Sequence, residues 1–256
     1  MKKKTVVLLL ALIMIFAFVS CNPEASDSSA SSGSLPGEVT PPSEDERKSM
    51  SDADIKLAYT YFEYSIKDVE ESSSMSLSLK VSSEKIGTIT VKEESEGTNS
   101  KTTVNGNIKI GTDEYKVENL VFTQNSSSLP AIEKGSLSKN GETLANDKLL
   151  AALSLIGDYV EKHMEDFDTY EYNQRGSCKV KLEKDNVAVG SGIMSFSKRV
   201  TQDSESAIQV YDITVNGVRL QTKAHSDGEG VIFDYIALDG NFFDKESIRK
   251  LLALTE

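Results

Sequence analysis

Histidine, cysteine and carboxylate side chains carry much of the proton-transfer, nucleophilic and metal chemistry of proteins, and this 256-residue chain holds two histidines and two cysteines. His163 stands among Glu161, Glu165, Asp166 and Asp168, a set that would pair imidazole with carboxylate ligands. No second imidazole or thiolate follows at a spacing of three or four, so the pattern predicts an exposed helix histidine rather than a metal ligand. His225 opens "HSDGEG", where Asp-Gly and Glu-Gly are turn chemistry, and a turn is the expectation there. Cys178 alternates with Val180 and Leu182 and reads as a small core hydrophobe. A reactive thiol would need a cationic neighbour or a helix N-terminus, and neither is evident locally. The acidic pairs Glu70-Glu71 and Glu93-Glu94 read as solvated surface. "DGNFFDKE" (239–246) has oxygen-bearing side chains but lacks the alternating acids and terminal Glu of a twelve-residue calcium loop. Phe242 and Phe243 there suit a hydrophobic staple ahead of a capped helix. No nucleophile elbow, P-loop, dinucleotide fingerprint or zinc motif is present. The expectation is a protein with no catalytic, cofactor-binding or metal-binding residues, and not an enzyme.

The other cysteine has a different setting. Met1-Lys2-Lys3-Lys4 is a compact positive start, and residues 5–19, "TVVLLLALIMIFAFV", are uncharged and almost wholly apolar. A helix crossing the hydrocarbon core needs about 20 such residues, so this run is a signal-peptide core rather than a membrane span. It ends Phe18-Val19-Ser20-Cys21, which resembles the lipobox of bacterial lipoproteins; Phe18 departs from the leucine usual in that family. The resemblance covers residues 1–21. It implies that residues 1–20 are a lipoprotein signal peptide and that Cys21 is the lipid attachment site and new N-terminus. Its sulfur would carry diacylglycerol and its α-amine a further acyl chain such as palmitate. Each buried methylene adds about 0.8 kcal/mol, so two or three chains make a durable anchor. Residues 21–50 then read as a lipidated N-terminus with a disordered Ser/Pro-rich tether. About 30 flexible residues span roughly 30 Å.

Removal of Lys2, Lys3 and Lys4 with the signal leaves 25 basic against 40 acidic residues, a net charge of −15. That balance argues against nucleic acid as a partner and against close contact with an anionic bilayer. With Cys21 acylated, Cys178 is the last thiol, so no intramolecular disulfide forms.

The elements that must position any site begin at Asp52. Residues 52–71 place Ile55, Tyr59, Phe62, Ile66 and Val69 at helical spacing, with Leu57, Tyr61 and Tyr64 widening the apolar side. "MSLSLKV" then alternates as a strand, with "IGTITV" as its hairpin partner. "TTVNGNIKI" and "EYKVENLVF" add two strands joined at Gly111-Thr112-Asp113, with a short strand near 135–138. Residues 146–167 form a second helix with Leu149, Leu153, Ile156, Val160 and Met164 as its stripe and Asn146 or Asp147 as its cap. Five more strands follow, with Asn216-Gly217 as a hairpin turn, before Asp244 caps a last helix.

The fold class is therefore α+β, mainly antiparallel sheet with about three amphipathic helices. Leu79, Val81 and Ile86 map onto Val180, Leu182 and Val187 at an offset of 101, which points to a tandem helix-plus-four-strand repeat. The units are expected at 51–145 and 146–256. The functional expectation is a lipoprotein held in the cell envelope, at the outer membrane or cell surface rather than the inner membrane. It would act as a non-enzymatic binding module for an apolar ligand or a protein partner. A hydrolase with a site built from scattered carboxylates, and a structural envelope protein, are the alternatives.

Overall fold

The computed structural model describes residues 34–125, 130–226 and 231–254. The chain is α+β and mostly antiparallel sheet. Three helices, α1 (Asp52–Phe62), α2 (Asn146–Lys162) and α3 (Lys245–Leu252), accompany twelve strands. These are β1 (Ser65–Ser83), β2 (Gly87–Glu96), β3 (Asn99–Ile110), β4 (Asp113–Asn125), β5 (Ala131–Lys139), β6 (Glu142–Thr143), β7 (Thr169–Lys184), β8 (Val187–Thr201), β9 (Glu205–Val215), β10 (Val218–Ser226), β11 (Val231–Leu238) and β12 (Asn241–Phe242). Their hydrogen-bonded order is β12-β11-β10-β9-β8-β7-β1-β2-β3-β4-β5-β6. Only the step from β6 to β7, which passes through α2, joins strands that are not neighbours.

The contacts divide the chain into two compact units, and not at residue 145. One unit comprises residues 75–174 and 199–204; the other comprises 34–74, 175–198 and 205–254. Strands β1, β7 and β8 are long enough to contribute to both.

In the first unit, Leu77, Leu79 and Val81 of β1 alternate inward with Ile89 and Val91 of β2 and Val104 and Ile108 of β3. The α2 stripe of Leu149, Leu153, Ile156 and Val160 closes this core. Neither Asn146 nor Asp147 caps α2: the N-cap is Ala145, which makes no side-chain cap bond. The helix stops at Lys162, and Met164–Asp166 continues only as a 3-10 turn.

In the second unit, Cys178, Val180 and Leu182 of β7 join Ile213 and Val215 of β9, Leu220 of β10, and Ile236 and Leu238 of β11. Helices α1 and α3 supply Ile55, Ala58, Tyr61, Ile248 and Leu251 to this core. The real stripe of α1 is thus 55-58-61, not 55-59-62-66-69. The helix ends at Phe62 because Ile66 and Val69, β-branched and followed by serines, enter β1 instead. At α3 the expected cap holds: the Asp244 carboxylate accepts from the Ser247 N–H at 2.8 Å.

The opposite face of the sheet in this unit is also covered. Cross-strand pairing puts Val210 beside Lys223 and Tyr235, and Asp212 beside Gln221 and Ala237. Residues 34–39 lie over this row, and Leu35 is buried. The chain then runs to the β12 edge, where Lys48 bridges Phe243 in parallel and its N–H donates to the Phe242 carbonyl at 2.9 Å. The expected tether over 21–50 is therefore too long at its C-terminal end. Residues 34–50, despite their Pro, Gly and acidic composition, are held by specific polar contacts that a compositional argument does not register. Residues 1–33, Cys21 among them, lie outside the described residues.

The two halves match locally. The Asn140-Gly141 turn between β5 and β6 and the Asp239-Gly240 turn between β11 and β12 both have positive φ at both positions. The Leu144 N–H donates to the Leu137 carbonyl at 2.8 Å and the Phe243 N–H to the Ile236 carbonyl at 2.9 Å, equivalents at an offset of 99. At the offset of 101, Leu79 with Val180 and Val81 with Leu182 are buried pairs. The third pair fails: Ile86 is half-buried whereas Val187 is 63% exposed.

Candidate functional site

The side chains singled out for their chemistry are dispersed. His163 follows the end of α2, its Nδ1 2.6 Å from Asp166 Oδ2 and its ring 4.6 Å from that of Tyr159. His225 is not in a turn: it belongs to β10, opposite Ile208 and Ile232, with Nδ1 2.8 Å from Asp234 Oδ1. Each imidazole thus faces one carboxylate, and among the described residues no three His, Cys, Asp or Glu side chains are grouped to hold a metal. Cys178 is buried in the second core, as its alternation implied. Asp227 and the side chains of Glu70 and Glu71 lie outside the described set. Asp239 and Gly240 make a turn, Phe243 is fully buried and Phe242 packs edge-on against Tyr235 at 5.6 Å.

Glu93 departs from expectation. It sits on the inward face of β2 in line with Ile89 and Val91, only 8% exposed, opposite the buried Thr102. Burial pushes its carboxyl above the usual range. The adjacent Glu94 is exposed and ion-paired to Lys92 at 2.7 Å, so the sheet's period of two separates two neighbouring acids completely. Among hydroxyls, Tyr172 is pushed up to about 12 by burial, and its O–H donates to Gln174 Oε1 at 3.0 Å.

An open depression in the second unit has a volume of about 370 Å³; Lys48, Asp54, Asp239 and Asn241 border it beside Met50, Leu57, Val218 and Leu238. Its polar groups satisfy one another: Lys48 Nζ donates to Asn241 Oδ1 at 2.9 Å, and the Asp54 carboxylate accepts from Ser51 Oγ at 2.6 Å.

The strongest candidate for recognition is the outer edge of β11. Strand β12 pairs only with Ala237 and Leu238. Beyond it the Phe243 N–H reaches the Ile236 carbonyl, and Arg47 Nη1 donates to the Asp234 carbonyl at 3.3 Å. The stretch Val231-Ile232-Phe233 continues past that cover. Val231 is 48% and Ile232 43% exposed, and the Phe233 ring meets that of Phe62, itself 43% exposed, at 6.0 Å. An apolar strand edge of this kind is a template for pairing with another chain, and proteins usually blunt it.

The first unit shows such blunting. There β6 pairs only with Ser138 and Lys139 of β5. The remainder carries exposed Glu133 and Lys134, Gly135 at φ +94°, and register shifts against β4. Charge, glycine and bulge are the devices that discourage added strands. β11 has neither charge nor glycine from Val231 to Phe233, and its one register shift against β10 falls after this stretch, at Asp234. The signal was present in the sequence as three consecutive apolar residues, which break the alternation expected of a half-buried strand. No helix among the described residues is long and apolar enough to cross a membrane. Comparison with family models, with curated proteins and with solved structures finds no match to this chain.

Proposed function

We propose that this chain is a lipid-anchored envelope protein without a catalytic role, which binds a protein partner by adding a partner strand to β11. The observation that carries the reading is the contrast between the two strand edges: charged, kinked β5 against apolar Val231-Ile232-Phe233 flanked by Phe62. In strand addition, main-chain hydrogen bonds supply affinity while alternate side chains supply specificity. The exposed phenylalanine, valine and isoleucine are the apolar anchors an added strand would cover.

The anchor is Cys21, at the outer membrane or cell surface. With residues 34–50 held on the second unit, the 13 residues from Cys21 to Gly33 can reach at most about 45 Å. The partner is therefore another envelope or surface protein. Carriage of an apolar ligand has less support, because the depression near Lys48 is open and sets Lys48, Asp54, Asp239 and Asn241 among its apolar residues.

The stretches β1–β6 and β7–β12, each followed by a helix that packs on that stretch's core (α2 on the first, α3 on the second), are tandem copies of one motif. Support comes from the six strands after α1 and the six after α2, each series ending in a two-residue strand, and from the matched turns at Asn140-Gly141 and Asp239-Gly240. The repeat is larger than the helix-plus-four-strand unit read from the sequence. On this reading duplication produced two edges, and only one was kept open.

Ile232→Lys tests the reading. A charge on the exposed edge should abolish strand addition while leaving the fold intact, since Ile232 contributes little to the core. Partner binding that survives Ile232→Lys would dismiss β11 as the site.

A further inference from the structure

We propose that the face of the second unit beneath residues 34–39 is a binding site for a polypeptide segment folded into a β-turn, and that Leu35-Pro36-Gly37-Glu38-Val39, closed by the Glu38 N–H donating to the Leu35 carbonyl at 2.9 Å, is its resident ligand, displaceable by a partner segment of the same chemistry. This site lies on a different surface from the β11 edge and is independent of it.

The sheet holds this segment mainly by its backbone. Arg175 Nη2 donates to the Ser34 carbonyl, Ser195 Oγ donates to the Pro36 carbonyl at 2.7 Å, and Tyr235 Oη accepts from the Val39 N–H at 3.1 Å. Ser195 of β8 and Tyr235 of β11, with two strands between them in the sheet, are both buried beneath the segment and grip its two ends. Main-chain recognition of this type accepts any chain that presents carbonyl and N–H groups at the same spacing.

Three positions add side-chain selectivity. Leu35 is buried, which requires an apolar side chain there. Gly37 adopts φ +80°, and a Cβ on it would lie 2.9 Å from Asp212 Cβ, so only glycine fits. The Glu38 carboxylate pairs with Lys223 Nζ at 2.8 Å; Asp234, 3.9 Å from the same ammonium, is the other charge facing it. Pro36 restricts the backbone in advance and lowers the ordering cost of the bound segment. The chemistry is thus leucine, any residue, glycine, carboxylate, presented as a β-turn in which the Leu35 N–H also donates to the Glu38 carboxylate at 2.7 Å.

The resident ligand leaves one group unserved. Gln221 is 5% exposed on this same face, between Asp212 and Ala237, and its Nε2 meets no acceptor among the described residues. A buried donor without a partner is costly, so a segment that also brings an acceptor to Gln221 binds more tightly than the chain's own. Beneath the segment the face offers Val210, Tyr235 and Ala237, an apolar strip that any occupant must cover.

The test uses the full mature chain with Cys21→Ala, and a fluorescein-labelled peptide of the sequence Ser34–Thr40. In the unaltered face the resident segment competes, so peptide anisotropy should rise little. Gly37→Val expels the resident segment without touching the face, and should strengthen peptide binding at least tenfold. Glu38→Lys, which breaks the ion pair without backbone strain, should do the same if Gly37→Val fails to fold. Adding Lys223→Met should then weaken the peptide at least fivefold, whereas Lys162→Met in the first unit should not. A peptide carrying valine for its glycine should not bind. Equal binding to the unaltered and Gly37→Val chains, or no binding to a folded released variant, overturns the proposal. So does sedimentation showing that the released chain only exchanges this segment with a second copy.

Discussion

Asp239 closes the β11–β12 turn onto Arg219. Its carboxylate accepts from the Arg219 N–H at 2.8 Å, and its own N–H donates to the Arg219 carbonyl at 2.8 Å. Asn140 makes the same reciprocal pair with Glu114 in the first unit, with both distances again 2.8 Å. Both residues sit at φ near +50°, where a short side chain that bonds its own surroundings is tolerated.

Alanine removes one hydrogen bond at Asp239 and two at Asn140, whose Nδ2 also donates to Asp113 Oδ1 at 3.0 Å, and at both it adds the strain of a left-handed residue with no side chain to bond its surroundings. Each substitution should cost about 1–3 kcal/mol. Amide exchange should show the loss in β10 and β11 for Asp239→Ala, and in β4 and β5 for Asn140→Ala. Loss spread evenly over all twelve strands would contradict the independence of the two turns.

The paired cores give a second expectation. Leu79 and Val180 are both buried, one in each core, while Lys80 and Lys181 between the inward residues are exposed. Leu79→Ala should cost about 2–5 kcal/mol and Val180→Ala somewhat less. Lys80→Ala and Lys181→Ala should stay within about 0.5 kcal/mol, by denaturant unfolding.

Glu93 makes a pH-dependent prediction. Burial raises its native carboxyl above the unfolded value of about 4.3. Below that value both states are protonated and the site is neutral to stability. As pH rises toward the folded value the native state holds the extra proton, so stability declines, and the decline is complete once the folded value is passed. Glu93→Gln keeps the neutral amide shape throughout. Its melting temperature should exceed that of the wild type at about pH 7 and match it near pH 3.5. A difference that is the same at both would assign the effect to packing rather than ionisation.

Much of the fold was legible because amphipathic alternation is a local signal. The strands around Leu79, Val180 and Ile213, the Asn216-Gly217 turn and the Asp244 cap all follow from patterns within ten residues. What was hidden depends on distant partners. The end of α1 required knowing that Ile66 and Val69 would find a sheet. The burial of Glu93 required knowing that β2 keeps its register past Val91. The docking of residues 34–39 rests on Ser195, Lys223 and Tyr235, which lie more than 150 positions away. The open edge was half visible, since Val231-Ile232-Phe233 is plainly apolar, yet it is the shortness of β12 that leaves it unpaired among the described residues.

The anchor has its own check. Because Ser20-Cys21 closes an apolar signal core, the wild-type protein should partition into the detergent phase and Cys21→Ala into the aqueous phase. Equal partition of both would remove the lipid anchor from the account.

Photo-cross-linking in membranes of the native host tests strand addition at β11 most directly. A cross-linking side chain placed at Ile232 should capture one protein partner, and the same group at Glu133 on the blunted β5 edge should capture none. The Ile232 adduct should disappear when Phe62→Lys is added, because Phe62 borders the covered edge. Equal capture from both positions, or adducts at Ile232 to lipid alone, would contradict a dedicated partner-binding edge.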